Sequence, residues 1–400
     1  MCLVTDTLFD SNGVSRFIRD MAAHAADFGA DLTVVTASPI RPDGMPANIV
    51  NLRPFLAIRM PFYPEQYLSL LPPFWSLWRT LRARRPRIIH ISTPGPLGWS
   101  ALLIARLLRI PTAGTYHTDF PAFLEKNTGS RRIRALTAWV MRCFYRSMTF
   151  TFARSQRYIP LMAGEIAIAP ERILYLPPGT DTDAFNPGYR SGPGFWKGYG
   201  IMNAPLVLLY VGRLSVEKNL PFMIERFREL RRSVRRDIAL VLIGEGEFAA
   251  RAGEWQNDNI HLLGVKRGEE LSSIYANSDI FLSASVTETL GQTVMEAQAS
   301  GLCAVVSDRG GVAETVVDQH TGFTLDVAHP SRWTAALEKL AQDERLREAM
   351  GRAAAERMQH ASIRHSCEVF VRRHREAVAP RTPTQNGYGR VSVPMNSAAF

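Results

Sequence analysis

The feature that most constrains this chain is an alternation of strand and helix that runs, stops and starts again. Cys2–Thr5 and Leu32–Val35 read as strands, with an amphipathic stretch, Val14–Phe28, between them. Ile88–Ile91 is a further buried run, followed by a Gly/Pro loop and the apolar helix Trp99–Leu108. Asn186 to Gly200 is rich in Gly and Pro, carries little pattern, and reads as a linker. Beyond it Leu206–Val211, Ile238–Ile243, His261–Leu263, Ile280–Leu282 and Ala304–Val306 read as strands, each followed by a helical pattern. Strand alternating with helix specifies a parallel sheet with helices on its faces. The expected fold class is therefore α/β, with two Rossmann-like, doubly wound domains facing across a cleft. The expected limits are 1–190 for the first domain, 195–365 for the second, 366–379 for a C-terminal helix and 380–400 for a disordered tail. Ligands in such sheets bind at the carboxyl ends of the strands, where strand order reverses.

Composition removes several other classes. Four cysteines (Cys2, Cys143, Cys303, Cys367) are too few and too scattered for a disulfide scaffold or a zinc ribbon. A membrane span needs about 20 apolar residues, and the charge-free stretch Gln66–Trp78 is shorter and contains Pro72 and Pro73. The N-terminus reads as a strand rather than a signal peptide. The net charge of +10 is unevenly placed: residues 53–157 hold 17 Lys and Arg against 3 Asp and Glu. Trp75, Trp78, Trp99, Trp139, Phe62 and Tyr67 are interleaved with them. A solvated basic face, an anionic membrane surface and nucleic acid are the three readings. No helix-turn-helix, zinc-finger or RNP pattern supports nucleic acid. Basic residues beside interfacial aromatics suit anionic lipid.

Four segments could carry chemistry. In Ser283–Gly311 a strand ends near Leu282, a polar loop holds Glu288, and a helix opens near Leu290-Gly291 and runs to Gly301. The free amides of that helix's first turn would accept a phosphate. Glu296 stands about 7.5 Å beyond Gly291 along the helix. Two carboxylates flanking an anion seat suit a ligand with a central diphosphate and hydroxyl-bearing ends, such as a sugar nucleotide. The plain alternative is an N-terminal helix charge and a solvated glutamate. In the second segment Gly212-Arg213 follows a strand end and Lys218 lies five residues on. The guanidinium fork and the ammonium could both grip phosphate. The third is the loop Asp10-Ser11-Asn12-Gly13-Val14, and the fourth is His117 in Thr115–Asp119. Asp181-Thr182-Asp183 has metal-binding spacing, but no second acidic cluster or histidine accompanies it.

Together these segments resemble glycosyltransferase family 4, a retaining group with the GT-B fold. The most specific piece is Glu288-x7-Glu296 within TETLGQTVMEAQASG, followed by Gly310-Gly311-Val312-x-Glu314. VGRLSVEKN (211–219), LIGEGEF (242–248), Asn12-Gly13-Val14 and His117 in TYHTDF agree in order and spacing. The resemblance covers residues 1–375 and is nearest to GDP-mannose-dependent α-mannosyltransferases and glycolipid-forming enzymes. It implies that Glu288 contacts donor-sugar hydroxyls and that Glu296 holds the ribose. Arg213 and Lys218 would neutralise the diphosphate. Gly13 would admit the phosphates, with Gly212, Leu290 and Gly291 shaping the donor seat. His117 would meet the donor sugar. No cofactor or divalent metal is implied. The chain departs from the family at Leu290 (usually aromatic) and Cys303 (usually Pro), and reads Pro178-Gly179-Thr180-Asp181 in place of P-N-G-V-D.

The expected function is transfer of a hexose, from GDP-mannose or a UDP-sugar, to an acceptor hydroxyl on a membrane lipid or glycolipid, with retention. The partners are thus a nucleotide diphosphate sugar, a lipid or glycan acceptor and an anionic membrane surface, and no nucleic acid. The expected location is cytoplasmic, with a peripheral seat on the inner face of the cell membrane as the option that the basic window opens. The rivals are a nucleotide-sugar isomerase of the same architecture and a catalytically silent scaffold.

Overall fold

The computed structural model describes residues 1–10, 13–60, 63–192, 194–202, 206–288 and 290–379. The tail expected to be disordered, 380–400, lies outside them, as do Asn12, Phe62 and Thr289. The chain divides into two units: residues 1–124, 130–177 and 364 onward form one, and 125–129 with 178–363 form the other.

The first unit contains β1 (Cys2–Thr5), α1 (Gly13–His24), β2 (Thr33–Thr36), β3 (Ile49–Asn51), β4 (Leu56–Met60), β5 (Tyr63–Leu71), α2 (Phe74–Arg84), β6 (Ile89–Ile91), α3 (Pro96–Leu108), β7 (Thr112–Tyr116), α4 (Phe120–Thr128), α5 (Arg131–Tyr145), β8 (Phe150–Ala153), α6 (Ile159–Gly164) and β9 (Ile173–Tyr175). Its sheet is parallel in the order β3-β2-β1-β6-β7-β8-β9, so strand order reverses between β1 and β6. β4 and β5 stand apart as an antiparallel hairpin.

The second unit contains β10 (Leu206–Val211), α7 (Leu220–Ser233), β11 (Ile238–Ile243), β12 (Ile260–Leu262), α8 (Gly268–Ala276), β13 (Ile280–Ser283), α9 (Gln292–Ala299), β14 (Cys303–Ser307), β15 (Gly322–Leu325), α10 (Pro330–Gln342) and α11 (Glu344–Gln359). Its parallel order is β12-β11-β10-β13-β14-β15, reversing between β10 and β13. The central strands β10 and β11 are apolar without interruption because both faces are covered. Leu206, Leu208 and Tyr210 enter one core, whereas Val207 and Leu209 enter the core on the opposite face. That is the period of two expected of a strand.

The Asn186–Gly200 stretch differs from the expected linker. Trp196 is buried and its indole N–H donates to the Asn277 carbonyl at 2.8 Å. Phe185, Trp196 and Ile201 join the second unit's core. Gly and Pro signal turns, and turns that carry large aromatics pack. The units divide after Pro177.

A last helix, α12 (Ile363–Val378), continues into the first unit. Phe370 packs on Phe17, His90 and Phe152. His374 Nδ1 faces the Phe370 carbonyl at 2.7 Å and so carries a proton there. His374 Nε2 must then accept from His90 Nδ1 at 3.0 Å, and the Thr115 hydroxyl donates to His90 Nε2 at 3.1 Å. The chain has no place for an added proton. Burial lowers His374 to about 4, with the α-amino group adding to the effect. Burial, then His374 and His117, hold His90 well below the usual value. The neutral forms are therefore native. Stability from this pair is present above pH ~6.5 and is lost as pH falls below it, because the unfolded chain then binds more protons. Thermal melts from pH 7.5 to 5 should fall more steeply for the native protein than for His374→Leu. Parallel curves would contradict the pairing.

Candidate donor site

β10 and β13 are parallel neighbours, with Leu208 beside Ile280, so the loops after them emerge side by side at the reversal of strand order. The β10 loop begins at Gly212. Its N–H donates to the Ile243 carbonyl at 2.9 Å. Behind it the Tyr210 hydroxyl donates to the Arg213 carbonyl at 2.7 Å. Gly244, with φ +137°, brings the next loop so close that a Cβ there would lie 2.0 Å from the Gly212 carbonyl oxygen. Arg213 pairs through Nη1 with Glu217 at 3.3 Å, and Glu217 is buried. The short 3-10 turn Val216–Lys218 then places Lys218.

Lys218 Nζ bonds Glu288 Oε1, joining the two loops. Burial pushes the Glu288 carboxyl up; Lys218, with Arg213 behind it, outweighs this and holds it below the ordinary carboxylate value. The Glu288 backbone is fixed as well. Its carbonyl accepts the Gly311 N–H at 2.7 Å, and a Cβ on Gly310 would come within 2.6 Å of the same oxygen. Gly291, at φ +85°, opens α9, and a Cβ there would press on Val312 at 3.0 Å. The Gly291 carbonyl takes the N–H groups of Val294 and Met295. Gly291, the residue before α9, has no side chain with which to cap it, and the first amides of a helix lack intrahelical partners. α9 ends at Ala299, two residues before Gly301 at φ +86°. Leu290 is half-buried against the core rather than open. Glu296 is buried on α9, and the Tyr275 hydroxyl donates to its Oε2 at 3.0 Å.

His117 and Gly13 belong to the first unit. His117 follows β7, and its Nε2 lies 2.9 Å from Ser92 Oγ at the end of β6. Burial first, then Arg154, push its pKa down to about 3, so the ring is neutral at neutral pH. Gly13 is the exposed first residue of α1, and a Cβ there would meet nothing within 4 Å. Internal packing does not demand glycine there. Asp6, after β1, was not singled out by sequence reasoning. Its carboxylate accepts the Leu97 and Gly98 N–H groups at 2.8 and 3.2 Å and the Thr93 hydroxyl at 2.8 Å. Burial still raises it to about 6. The anion seat at the start of α3 is thus filled by the protein itself.

The structure therefore gathers Gly212, Arg213, Lys218, Glu288, Leu290, Gly291 and Glu296 around one strand reversal. Glu217, Tyr210 and Tyr275 support them. Glu217 was readable as the i,i+4 partner of Arg213; Tyr275, 21 residues from Glu296 on another helix, left no local signal. Asp181 serves a turn, accepting the N–H groups of Asp183 and Ala184. Among the described residues no group of three His, Cys, Asp or Glu is placed to hold a metal ion.

Residues 11–184 match the model described as Glycosyltransferase Family 4, and 197–357 match Glycosyl transferases group 1. A GDP-mannose-dependent alpha-mannosyltransferase of Mycobacterium tuberculosis is 30% identical over 322 residues, covering 79% of this chain and 80% of that protein. The chain belongs to glycosyltransferase family 4. This glycosyltransferase is also 29% identical to sulfoquinovosyl transferase SQD2 of Arabidopsis thaliana over 359 residues. That match covers 86% of this chain and spans 66% of the Arabidopsis protein. Among solved structures, sucrose-phosphate synthase from Thermosynechococcus elongatus aligns with a TM-score of 0.76 at 16% identity, covering 94% of this glycosyltransferase and 98% of that chain. Anabaena Alr3699/HepE in complex with UDP and glucose aligns at 0.72 and 15% identity, covering 94% and 99%. Both share the GT-B fold of two parallel-sheet α/β domains.

Proposed function

We propose that this glycosyltransferase moves a hexose from a nucleotide diphosphate sugar, GDP-mannose or a UDP-sugar, to a hydroxyl of a membrane lipid or glycolipid, retaining the anomeric configuration. The observation that supports the reading is the Lys218–Glu288 contact, which sets a cation and a carboxylate beside the start of α9 at one strand reversal. The diphosphate lies against Arg213, Lys218 and those amides, which take the place of a metal ion. Glu288 exchanges part of its bond with Lys218 for donor-sugar hydroxyls, and Glu296 meets the ribose. Gly13 leaves room for phosphate, and neutral His117 hydrogen-bonds the sugar. The bond from the anomeric carbon to the diphosphate oxygen breaks, the acceptor oxygen bonds that carbon on the same face, and its proton passes to the departing diphosphate. The GDP-mannose-dependent relative of Mycobacterium tuberculosis supports the mannosyl donor. The basic, aromatic window 53–157 supports an acceptor at an anionic membrane on the cytoplasmic side. No helix among the described residues is long and apolar enough to cross a membrane.

The test is product analysis. The full chain is incubated with GDP-mannose, UDP-glucose or UDP-N-acetylglucosamine and with anionic lipid vesicles. The reading expects a lipid-soluble α-hexoside by mass spectrometry and proton NMR. A β-linked product, or a donor converted without any acceptor, would overturn it.

A further inference from the structure

Apart from Ser100 and Arg106, α3 is apolar on every side. Leu97, Ala101, Leu102, Ile104 and Ala105 face the core, yet Leu103 and Leu107 stay exposed, Leu107 at 59%. A helix apolar all round normally has both faces covered. Here the outer face borders other exposed apolar groups. β5 packs beside α3, and Leu70 and Leu71 of that hairpin are exposed, as is Phe55 at 75% just before β4. Trp75 on α2 is 67% exposed. On the other flank Trp99 stacks edge-on against Phe144 of α5, whose Leu136 and Trp139 are exposed. Between α2 and α3 a cavity of about 350 Å³ opens, walled by Phe74, Trp99, Leu102 and Leu103, with Ser100 and Arg106 completing it. It is an open groove with a mostly apolar lining, which offers contact to an apolar ligand. Exposed Arg79, Arg82, Arg106 and Arg109 accompany the apolar face.

We propose that a fatty acyl chain of an anionic bilayer lipid seats in this cavity, while the β4–β5 hairpin and the outer face of α3 lie in the lipid interface. An exposed apolar patch marks an interaction surface. The excess of basic over acidic residues across 53–157 selects an anionic bilayer over a second copy of this equally basic surface. The proposal deepens, and rests on, the membrane-acceptor reading above.

The full chain is mixed with phosphatidylglycerol–phosphatidylcholine vesicles carrying plain or mid-chain dibrominated acyl groups. Co-sedimentation reports docking, and tryptophan quenching by the brominated chains reports contact with the bilayer interior. The native chain should sediment and be quenched. Trp99→Phe should sediment equally and lose a third or more of the quenching. Ser100→Phe, which fills the cavity, should sediment but lose the same share. Leu103→Glu with Leu107→Glu should weaken sedimentation tenfold or more while the melting temperature holds. Sedimentation with quenching untouched by Trp99→Phe and Ser100→Phe would overturn the acyl seat and leave membrane docking standing. Failure of the native chain to sediment would overturn both. Self-association abolished by the double glutamate variant, without lipid binding, would assign the face to a second copy and overturn the proposal.

Discussion

Lys218→Ala should lower turnover about 100- to 1000-fold, the cost of removing one preorganised charge from a developing negative centre. In the proposed reaction the bond that breaks leaves charge on the diphosphate, so the ammonium would matter more in the transition state than in the bound donor. The loss should therefore appear in kcat as well as in kcat/KM. Folding should be nearly unaffected. The Lys218–Glu288 side chains are 20% and 30% exposed, so water reaches the Glu288 carboxylate that loses its partner. Lys218 is a cleaner probe than Arg213. Removing Arg213 also strips the buried Glu217 carboxylate of a partner, which itself destabilises. Steady-state rates with matched melting curves decide the matter. A Lys218→Ala enzyme within threefold of native turnover would contradict the assignment.

Gly244→Ala should destabilise the second unit by about 3–5 kcal/mol, combining backbone strain with overpacking. The residue has φ +137°, and the added methyl would sit 2.0 Å from the Gly212 carbonyl oxygen. The clash is with backbone, so no side chain can swing away. The strand end must move, and it carries Arg213. The melting temperature should drop by roughly 10 °C at about 2–4 °C per kcal/mol, and activity should fall even where the protein remains folded. Gly253→Ala is the control, since a Cβ there meets nothing within 4 Å; it should change stability by less than about 0.5 kcal/mol. Equal melting temperatures for the two variants would contradict the packing described.

The fold was legible because a strand covered on both faces must be apolar throughout. LVLLYV and IALVLI announce themselves for that reason. The β4–β5 hairpin was not legible: Arg59, Pro64 and Glu65 break any simple alternation. Asn186–Gly200 was misleading, since its turn residues are visible and the pocket that receives Trp196 is not. At the site, Arg213, Lys218 and Glu288 were readable because each lies in a loop past a strand end, where a parallel sheet places its ligands. Their supports were not. Tyr275 on α8 and Asp6 at the start of α3 act across the fold, and a single sequence holds no distance between segments.

The central claim is that a nucleotide diphosphate rests against Lys218 and Arg213 at the start of α9. Calorimetric titration of the full chain with GDP and with UDP, repeated on Lys218→Ala, tests it most directly. At 100 times its dissociation constant the preferred nucleotide should also stabilise the fold by about 2.7 kcal/mol. Saturable binding of one of them, weakened at least tenfold in the variant, is the predicted result. Equal affinity in both proteins, or no binding of either nucleotide, would contradict it.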